Sequence, residues 1–329
     1  MKKSLLVGTA LASALLLAAC SSTPSSPKAS EGGSAGPAAM TKISVAETAG
    51  APSAFMQYGV DQGFFEDEGL DVKVDVAAGG AAAIPGVIGG NYEFAGSNAV
   101  SVLLAANKGL PLTIIAAGTR ADQVPEKDFS AVLVPADSPI KTPADLAGKT
   151  IAVNTLQNVS EITVRAALEN EGVDTSAIKF IELGFPDMLP AITNKQVDAA
   201  MPIEPFVTTG LAAGDRAIIH PYVQSMPGLM VGTYVTTKQY LASNQKIVDA
   251  FRRALEKTGA AIAKDPAAFR KDLPNLTKVQ PAAAEKMNLP VWKSAVDVKS
   301  LEFFQKRMLD FGLITKAMDL SDVVAPGGK

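Results

Sequence analysis

The chain has 329 residues, 47% of them hydrophobic and 19% charged, with a formal net charge of -3. With the two ends of the N-terminal region set aside, about 290 residues remain, enough for two ordinary domains or one large one. The isoelectric point near 5.4 and the dispersed Lys and Arg leave no basic stripe to neutralise phosphates, which argues against nucleic acid as a partner.

Residues 1–20 carry Lys2 and Lys3, an apolar stretch from Leu5 to Ala19 and then small residues. That is the layout of a secretory signal, too short to span a bilayer. The segment "LLLAACSSTPSS" holds Cys20, the single cysteine of the chain, so an intramolecular disulfide cannot form. Leu17 to Cys20 resemble a bacterial lipobox. The resemblance implies that Cys20 carries diacylglycerol and that the mature chain starts there, extracytoplasmic and lipid-anchored to the cell membrane. Two acyl chains anchor stably where one, at roughly 0.8 kcal/mol per buried methylene, binds only marginally. Residues 21–40 are mostly Ser, Pro, Gly and Ala, which predicts a flexible tether. No later apolar run is long enough to cross a membrane.

From Lys42 onward short apolar runs alternate with helical patterns, which predicts an α/β chain with largely parallel sheets. Ile43 to Ala46 reads as a strand, and "FMQYGVDQGFFEDEGL" as a helix with Phe55, Tyr58, Phe64 and Phe65 on its core side, ending at Gly69. Val72, Val74 and Val76 alternate with polar residues as a second strand. A helix from Gly79-Gly80 to Ile88, a strand at "YEFAGS", a helix from Asn98 to Lys108 and a strand from Leu112 to Ala116 complete a first unit.

A second unit starts near Ser130. "SAVLVPADSPI" and "GKTIAVN" read as strands around a short "TPADL" helix with Pro143 in its first turn. Asn158 is expected to cap the next helix with Glu161 at capping-box spacing. Ile178 to Ile181 is a strand, Asp187 caps a helix with Pro190 in its first turn, and "QVDAAMP" is a strand. "IPGVIGGNYEFAGS" and "LPAITNKQVDAAMP" match in outline, so the same βα design occurs twice. "VQSMPGLMVGTYVTT" reads as a strand travelling back. Only helices are expected afterwards, with no third sheet: Ile247, Phe251 and Leu255 share one face, and Leu301, Phe304, Met308 and Leu309 another.

The strand ends at "TAGAPS", "AGGAAA", "AGSNAV" and "NTLQNVS" lead into helix N-termini, which present free N–H groups and favour an anionic or hydrogen-bond-accepting ligand. The candidates there are Ser53, Gly79, Gly80, Ala81, Ser97 and Asn98 in the first unit, where Gly79, Gly80 and Gly96 let a ligand approach the backbone. Asn154, Thr155, Asn158 and Ser160 face them from the second. Arg120, in "AAGTR", is the cation best suited to a carboxylate or sulfonate. Glu47 follows the first strand and could equally accept from a ligand N–H or pair with backbone donors. Phe55, Tyr58, Phe185, Met201 and Phe206 either wall a flat apolar pocket or belong to the core.

Four stretches in this order, "QGFFEDEGLDVKV", "GGAAAIPGVIGGNYEFAGSNAVSVLLAANKGLPL", "IKTPADLAGKTIAVN" and "LPAITNKQVDAAMPIEPF", resemble the ABC-transporter solute-binding proteins of the nitrate, taurine and alkanesulfonate class. That class includes binders of thiamine pyrimidine precursors and of aromatic carboxylates. The resemblance runs from about Lys42 to Lys257. It implies a two-lobed, type II periplasmic-binding-protein-like α/β fold with two crossovers, residues 41–129 plus 227–329 forming lobe 1 and 130–226 lobe 2. It also implies a monomer that takes a small-molecule ligand between its lobes, needs no cofactor or metal, and delivers to an ABC permease with its cytoplasmic ATPase. It places Glu204, beside Pro205, where the family carries a Pro-flanked acidic residue at a crossover. There the side chain either binds a ligand N–H, favouring a pyrimidine, or pairs with backbone donors.

The ligand expected is a small organic acid, carboxylate or sulfonate, aromatic ones included, with a thiamine-precursor-like pyrimidine as the alternative. It should dock first on the Gly79-Gly80 and Ser97-Asn98 lobe and be trapped when the Asn154 to Ser160 edge closes. An enzyme is not expected: His220 is the sole histidine and reads as structural, and no metal spacing, phosphate loop or nucleophile elbow occurs. The fungal thiamine-pyrimidine synthases resemble this fold, but they need a histidine donor and a cysteine-rich motif that this chain lacks. A sensor or scaffold lipoprotein is the rival of another class.

Overall fold

The computed structural model describes residues 40–328. The signal, Cys20 and all of the tether except Met40 lie outside the described residues. The chain begins with β1 (Thr41–Thr48), α1 (Ala51–Asp61), β2 (Leu70–Ala77), α2 (Gly80–Ile88), β3 (Phe94–Asn98), α3 (Ala99–Asn107) and β4 (Leu112–Ala117), then leaves through a short β5 (Thr119–Arg120). Next come β6 (Val132–Val134), β7 (Thr150–Val153), α4 (Val159–Asn170), β8 (Lys179–Glu182), α5 (Phe185–Thr193), β9 (Ala199–Ala200), α6 (Phe206–Ala213), β10 (Arg216–Ile219) and α7 (Pro221–Ser225). The chain returns in β11 (Gly232–Thr237) and ends with α8 (Lys238–Ser243), α9 (Gln245–Lys264), α10 (Pro266–Thr277), α11 (Pro281–Ala284), β12 (Val291–Trp292) and α12 (Val298–Asp310).

Two five-stranded sheets result, ordered β2-β1-β3-β11-β4 and β10-β6-β9-β7-β8. In the first, β1 is parallel to β2 and β3, while β11 runs against β3 and β4. In the second, β7 is parallel to β8 and β9, while β6 runs against β9 and β10. Each sheet is thus mostly parallel with one reversed strand, and that strand carries the chain into the sheet from the other one. Parallel strands need crossover helices, which is why strand and helix periodicities alternate so regularly along the sequence.

The first sheet is covered on one side by α1, α9 and α10. Phe94 stacks on Phe251 with centroids 4.1 Å apart, and Phe55 on Trp292 at 5.0 Å. α9 turns Val248, Phe251, Leu255 and Ile262 into this core and charges outward. The other side, with α2 and α3, shares one continuous apolar core with the second sheet, and α12 packs on both α3 and α4. At the open edge, Ile114 N–H donates to Val323 O at 2.8 Å and Ala325 N–H to Ile114 O at 2.9 Å, so the C-terminal segment covers β4.

Several local expectations are corrected. A third, two-stranded sheet exists, β12 with β5; two-residue strands have no periodicity to detect. The stretch before β11 is the helix α7 followed by a turn, so only its second half is strand. Asp187 lies within the first turn of α5, whose cap is Gly184, and Pro190 sits inside that helix. The capping box at Asn158 is displaced by one residue: Glu161 accepts from Gln157 N–H at 2.8 Å. Val76 is 64% exposed, since β2 is an edge strand.

Candidate ligand-binding site

The ends of β1 and β3 and the start of β11 open onto the same gap as the end of β7 and the first turns of α4 and α5. The gap contains a cavity with about 530 Å³ of empty space, counted out to its mouth and including open solvent there. The first sheet contributes Glu47, Thr48, Gly80, Gly96, Ser97, Asn98, Thr233 and Tyr234. The second contributes Asn154, Val159, Ser160, Phe185 and Ile203, and the crossovers Phe129 and Tyr222.

Glu47 is the centre of the electrostatics. It has the strand parity of Ile43 and Val45, which are buried, and it is itself only 2% exposed. Its carboxylate lies directly against Gly96, where a Cβ would overlap it. Oε1 accepts from Thr48 N–H at 2.7 Å. Burial pushes its pKa up to about 7, offset in part by that N–H and by the Tyr234 hydroxyl beside it; the same carboxyl and burial raise Tyr234 well above its ordinary value. Oε2 makes no hydrogen bond of ordinary geometry, the Tyr234 hydroxyl being the donor that stands beside the carboxyl, and Ser97 Oγ and Thr233 Oγ1 make none either. All three residues line the cavity, and among the described residues no Lys, Arg or His does. A buried polar atom left unpaired costs about 1–3 kcal/mol, so three around one cavity mark a place built for a polar guest.

The opposite wall is already satisfied. Ser160 Oγ–H donates to Asn154 Oδ1 at 2.7 Å, and the Tyr222 hydroxyl adjoins Ser160. With its oxygen engaged, the Asn154 amide turns its Nδ2 toward Gly79, where a Cβ would lie 3.0 Å away. Phe185 and Phe129 supply the apolar wall, and Phe129 packs 5.0 Å from Tyr222.

Of the predicted residues, the structure brings Gly80, Ser97, Asn98, Asn154, Ser160, Glu47 and Phe185 to the cavity. Gly79 and Thr155 stand at its edge, facing each other across the gap, and Ala81 lies one residue beyond Gly80. Ser53 donates its hydroxyl to Gly50 O at 3.0 Å. Asn158 is bonded to Ser101. Phe55, Tyr58 and Met201 belong to the core, and Phe206 packs against it.

Arg120 does not reach the cavity: its guanidinium bonds Ala295 O and stands 4.0 Å from Asp297, because β5 pairs with β12 and draws it to the C-terminal segment. Glu204 is buried and satisfied, accepting from Thr208 N–H and Oγ–H and from Asn288 N–H at 3.0, 2.7 and 3.1 Å. His220 lies against Ser130 O, its pKa lowered by burial.

The helix N-termini expected to hold an anion are largely occupied by the protein. Ala51 N–H donates to Glu204 O at 3.1 Å and Ala99 N–H to Val231 O at 3.0 Å. Ser101 N–H donates to Asn98 Oδ1 at 2.9 Å and Val159 N–H to Asn158 Oδ1 at 2.7 Å. Sequence reasoning missed Thr233 and Tyr234, whose one signal was the returning strand, and Tyr222 and Phe129, which lie outside it. Among the described residues no group of three or more His, Cys, Asp or Glu is placed to hold a metal ion.

Comparison with known proteins agrees with this architecture. The alkanesulfonate-binding protein SsuA from Xanthomonas axonopodis pv. citri superposes with a TM-score of 0.74, 17% identity, and coverage of 86% of this chain and 98% of that one. The periplasmic aliphatic sulphonate binding protein SsuA from Escherichia coli gives 0.71, 17%, 86% and 96%. A Candida albicans protein described as having the generic periplasmic binding protein fold gives 0.70, 14%, 87% and 96%. These similarities establish the two-lobed periplasmic-binding-protein fold. In sequence, the chain is 23% identical over 206 residues to the formylaminopyrimidine-binding protein of Halalkalibacterium halodurans, a match spanning 62% of this chain and 60% of that protein's length. Residues 52–269, about two thirds of the chain, match the family described as NMT1/THI5 like, and the chain belongs to that family.

Proposed function

We propose that this chain is the solute-binding component of an ABC importer, anchored outside the cytoplasm through lipid on Cys20. It binds a small planar ligand with N–H donors, of the aminopyrimidine class, between a lobe of residues 41–129 plus 227–329 and a lobe of residues 130–226. The observation that carries the reading is the buried Glu47 carboxylate, with the Tyr234 hydroxyl as its one neighbouring side-chain donor and the unbonded hydroxyls of Ser97 and Thr233 beside it, in a cavity that no basic side chain lines among the described residues. A ligand amino group would donate to Glu47, and a charge-assisted bond of this kind contributes about 1.5–3 kcal/mol. A ring nitrogen or carbonyl would accept from Asn154 Nδ2, and Phe185 would cover the ring face. An organic acid, the ligand expected from the sequence, would meet Glu47 with no counter-charge, and Arg120 stands elsewhere. The similarity to a formylaminopyrimidine-binding protein points the same way.

Thermal shift and calorimetry with aminopyrimidines, alkanesulfonates, nitrate and aromatic carboxylates at pH 8 test this. Stabilisation of about 2.7 kcal/mol at a hundredfold excess over Kd is expected for aminopyrimidines alone. Sulfonate or carboxylate binding that strengthens on acidification would instead identify a protonated Glu47 donating to an anion, and would overturn the pyrimidine assignment. Anchoring is checked by replacing Cys20 with Ser, which should release the protein from the membrane.

A further inference from the structure

We infer that Ser101 and Asn158 form a latch between the lobes, and that Ser101 is a positioning residue governing how long the cleft holds its ligand without touching it. Ser101 lies in the first turn of α3 and Asn158 caps α4, and each is 4% exposed. Asn158 Oδ1 accepts from its own helix at Val159 N–H, which leaves Nδ2 free to cross the gap and donate to Ser101 Oγ at 2.9 Å. The same hydroxyl accepts from Asn98 Nδ2 at 3.0 Å and faces Asn158 Oδ1 at 3.3 Å. Two helix caps, one from each lobe, therefore converge on one buried oxygen. Neither Ser101 nor Asn158 lines the cavity, although their neighbours Asn98 and Val159 do.

A second bond between the lobes, Ala51 N–H to Glu204 O, lies beside other lining residues, Pro52 and Ile203. The two contacts sit on opposite faces of the first sheet, since α1 packs with α9 and α10 while α3 packs with α2 and α12. They share no side chain, so a change at one reaches the other through the packing of the lobes, which Asn288 N–H to Glu204 Oε1 and the Arg307–Glu169 ion pair also join.

The test is amide exchange by mass spectrometry on the intact chain, comparing wild type, Ser101→Ala and Asn158→Ser. The second variant keeps a side-chain oxygen able to cap α4 and is too short to reach Ser101. Loss of the bond between the lobes should speed exchange of the Ala51 amide about three- to tenfold in both variants, and by no less in Ser101→Ala, which also loses the bond from Asn98. Dissociation of a formylaminopyrimidine should accelerate by the same factor, with association unchanged. Faster exchange confined to the first turns of α3 and α4, with Ala51 unaltered, would mean local capping only and overturn the latch. The dissociation arm rests on the proposed ligand class and the exchange arm does not: faster Ala51 exchange in a protein that binds no pyrimidine would support the latch and overturn the ligand assignment alone.

Discussion

The two walls of the cleft differ in how their polar groups are satisfied. The first lobe offers a carboxylate whose one side-chain donor is the adjacent Tyr234 hydroxyl, set on a sheet and held against Gly96, and two hydroxyls with no hydrogen bond. The second offers an amide already fixed by Ser160 and Tyr222, beside an aromatic ring. A site whose unmet hydrogen-bonding capacity sits on one lobe lets the ligand dock there first, and the other lobe then adds contact and excludes water. The contrast teaches that the halves are not interchangeable although the chain builds both from the same βα design.

The contrast is sharpest against pH. Burial raises the Glu47 pKa from an ordinary 4.5 to about 7 and the Asp128 pKa from 3.8 to about 7. Both shifts come from burial; Asp128 is retained because it accepts from Val223 N–H and from Ser130, tying the two crossovers together. Their folded pKa values are raised, so the stability they confer is full below about pH 4 and is lost as pH rises through 7, on the order of 3 kcal/mol for Glu47 and 4 for Asp128. Urea denaturation should therefore show the unliganded protein gaining stability from pH 7.5 to 5. Aminopyrimidine affinity should fall over the same interval as Glu47 takes up its proton, and parallel trends would remove Glu47 from the site.

Glu47→Gln should weaken aminopyrimidine binding roughly 10- to 150-fold while raising the thermal midpoint at pH 8, read by calorimetry and thermal unfolding. Asn154→Ala, on the satisfied wall, should cost less, about 3- to 10-fold; a larger loss there than at Glu47 would reverse the comparison. Arg120→Ala should leave affinity unchanged and lower stability by about 1 kcal/mol, through its bond to the Ala295 carbonyl.

Ser97, Asn98, Gly80, Asn154 and Ser160 were legible because parallel strands end where ligands bind, and strand ends can be read from periodicity. The reading failed where local chemistry had two outlets. A helix N-terminus can be satisfied by a ligand or by the protein, and Ala51 meets Glu204 O while Asn158 meets Ser101. Arg120 had the right chemistry for an anion, but β12, invisible as two residues, pulled it away. Glu47 carried the one usable signal, a carboxylate in the buried parity of a strand, yet that pattern alone does not say whether its oxygens are met.

From the chain itself came the alternation of strands and helices, the two units, the return strand and most of the backbone that rims the gap, because periodicity and glycine placement are local properties. Only the tertiary structure decided which polar atoms were left without partners, since that depends on bonds between residues far apart in sequence, such as the pairing of β11 with β3 that sets Thr233 and Tyr234 beside Glu47. The ligand class proposed for the cleft rests on those long-range partners, because they decide how much hydrogen-bonding capacity Ser97 and Thr233 keep beside Glu47.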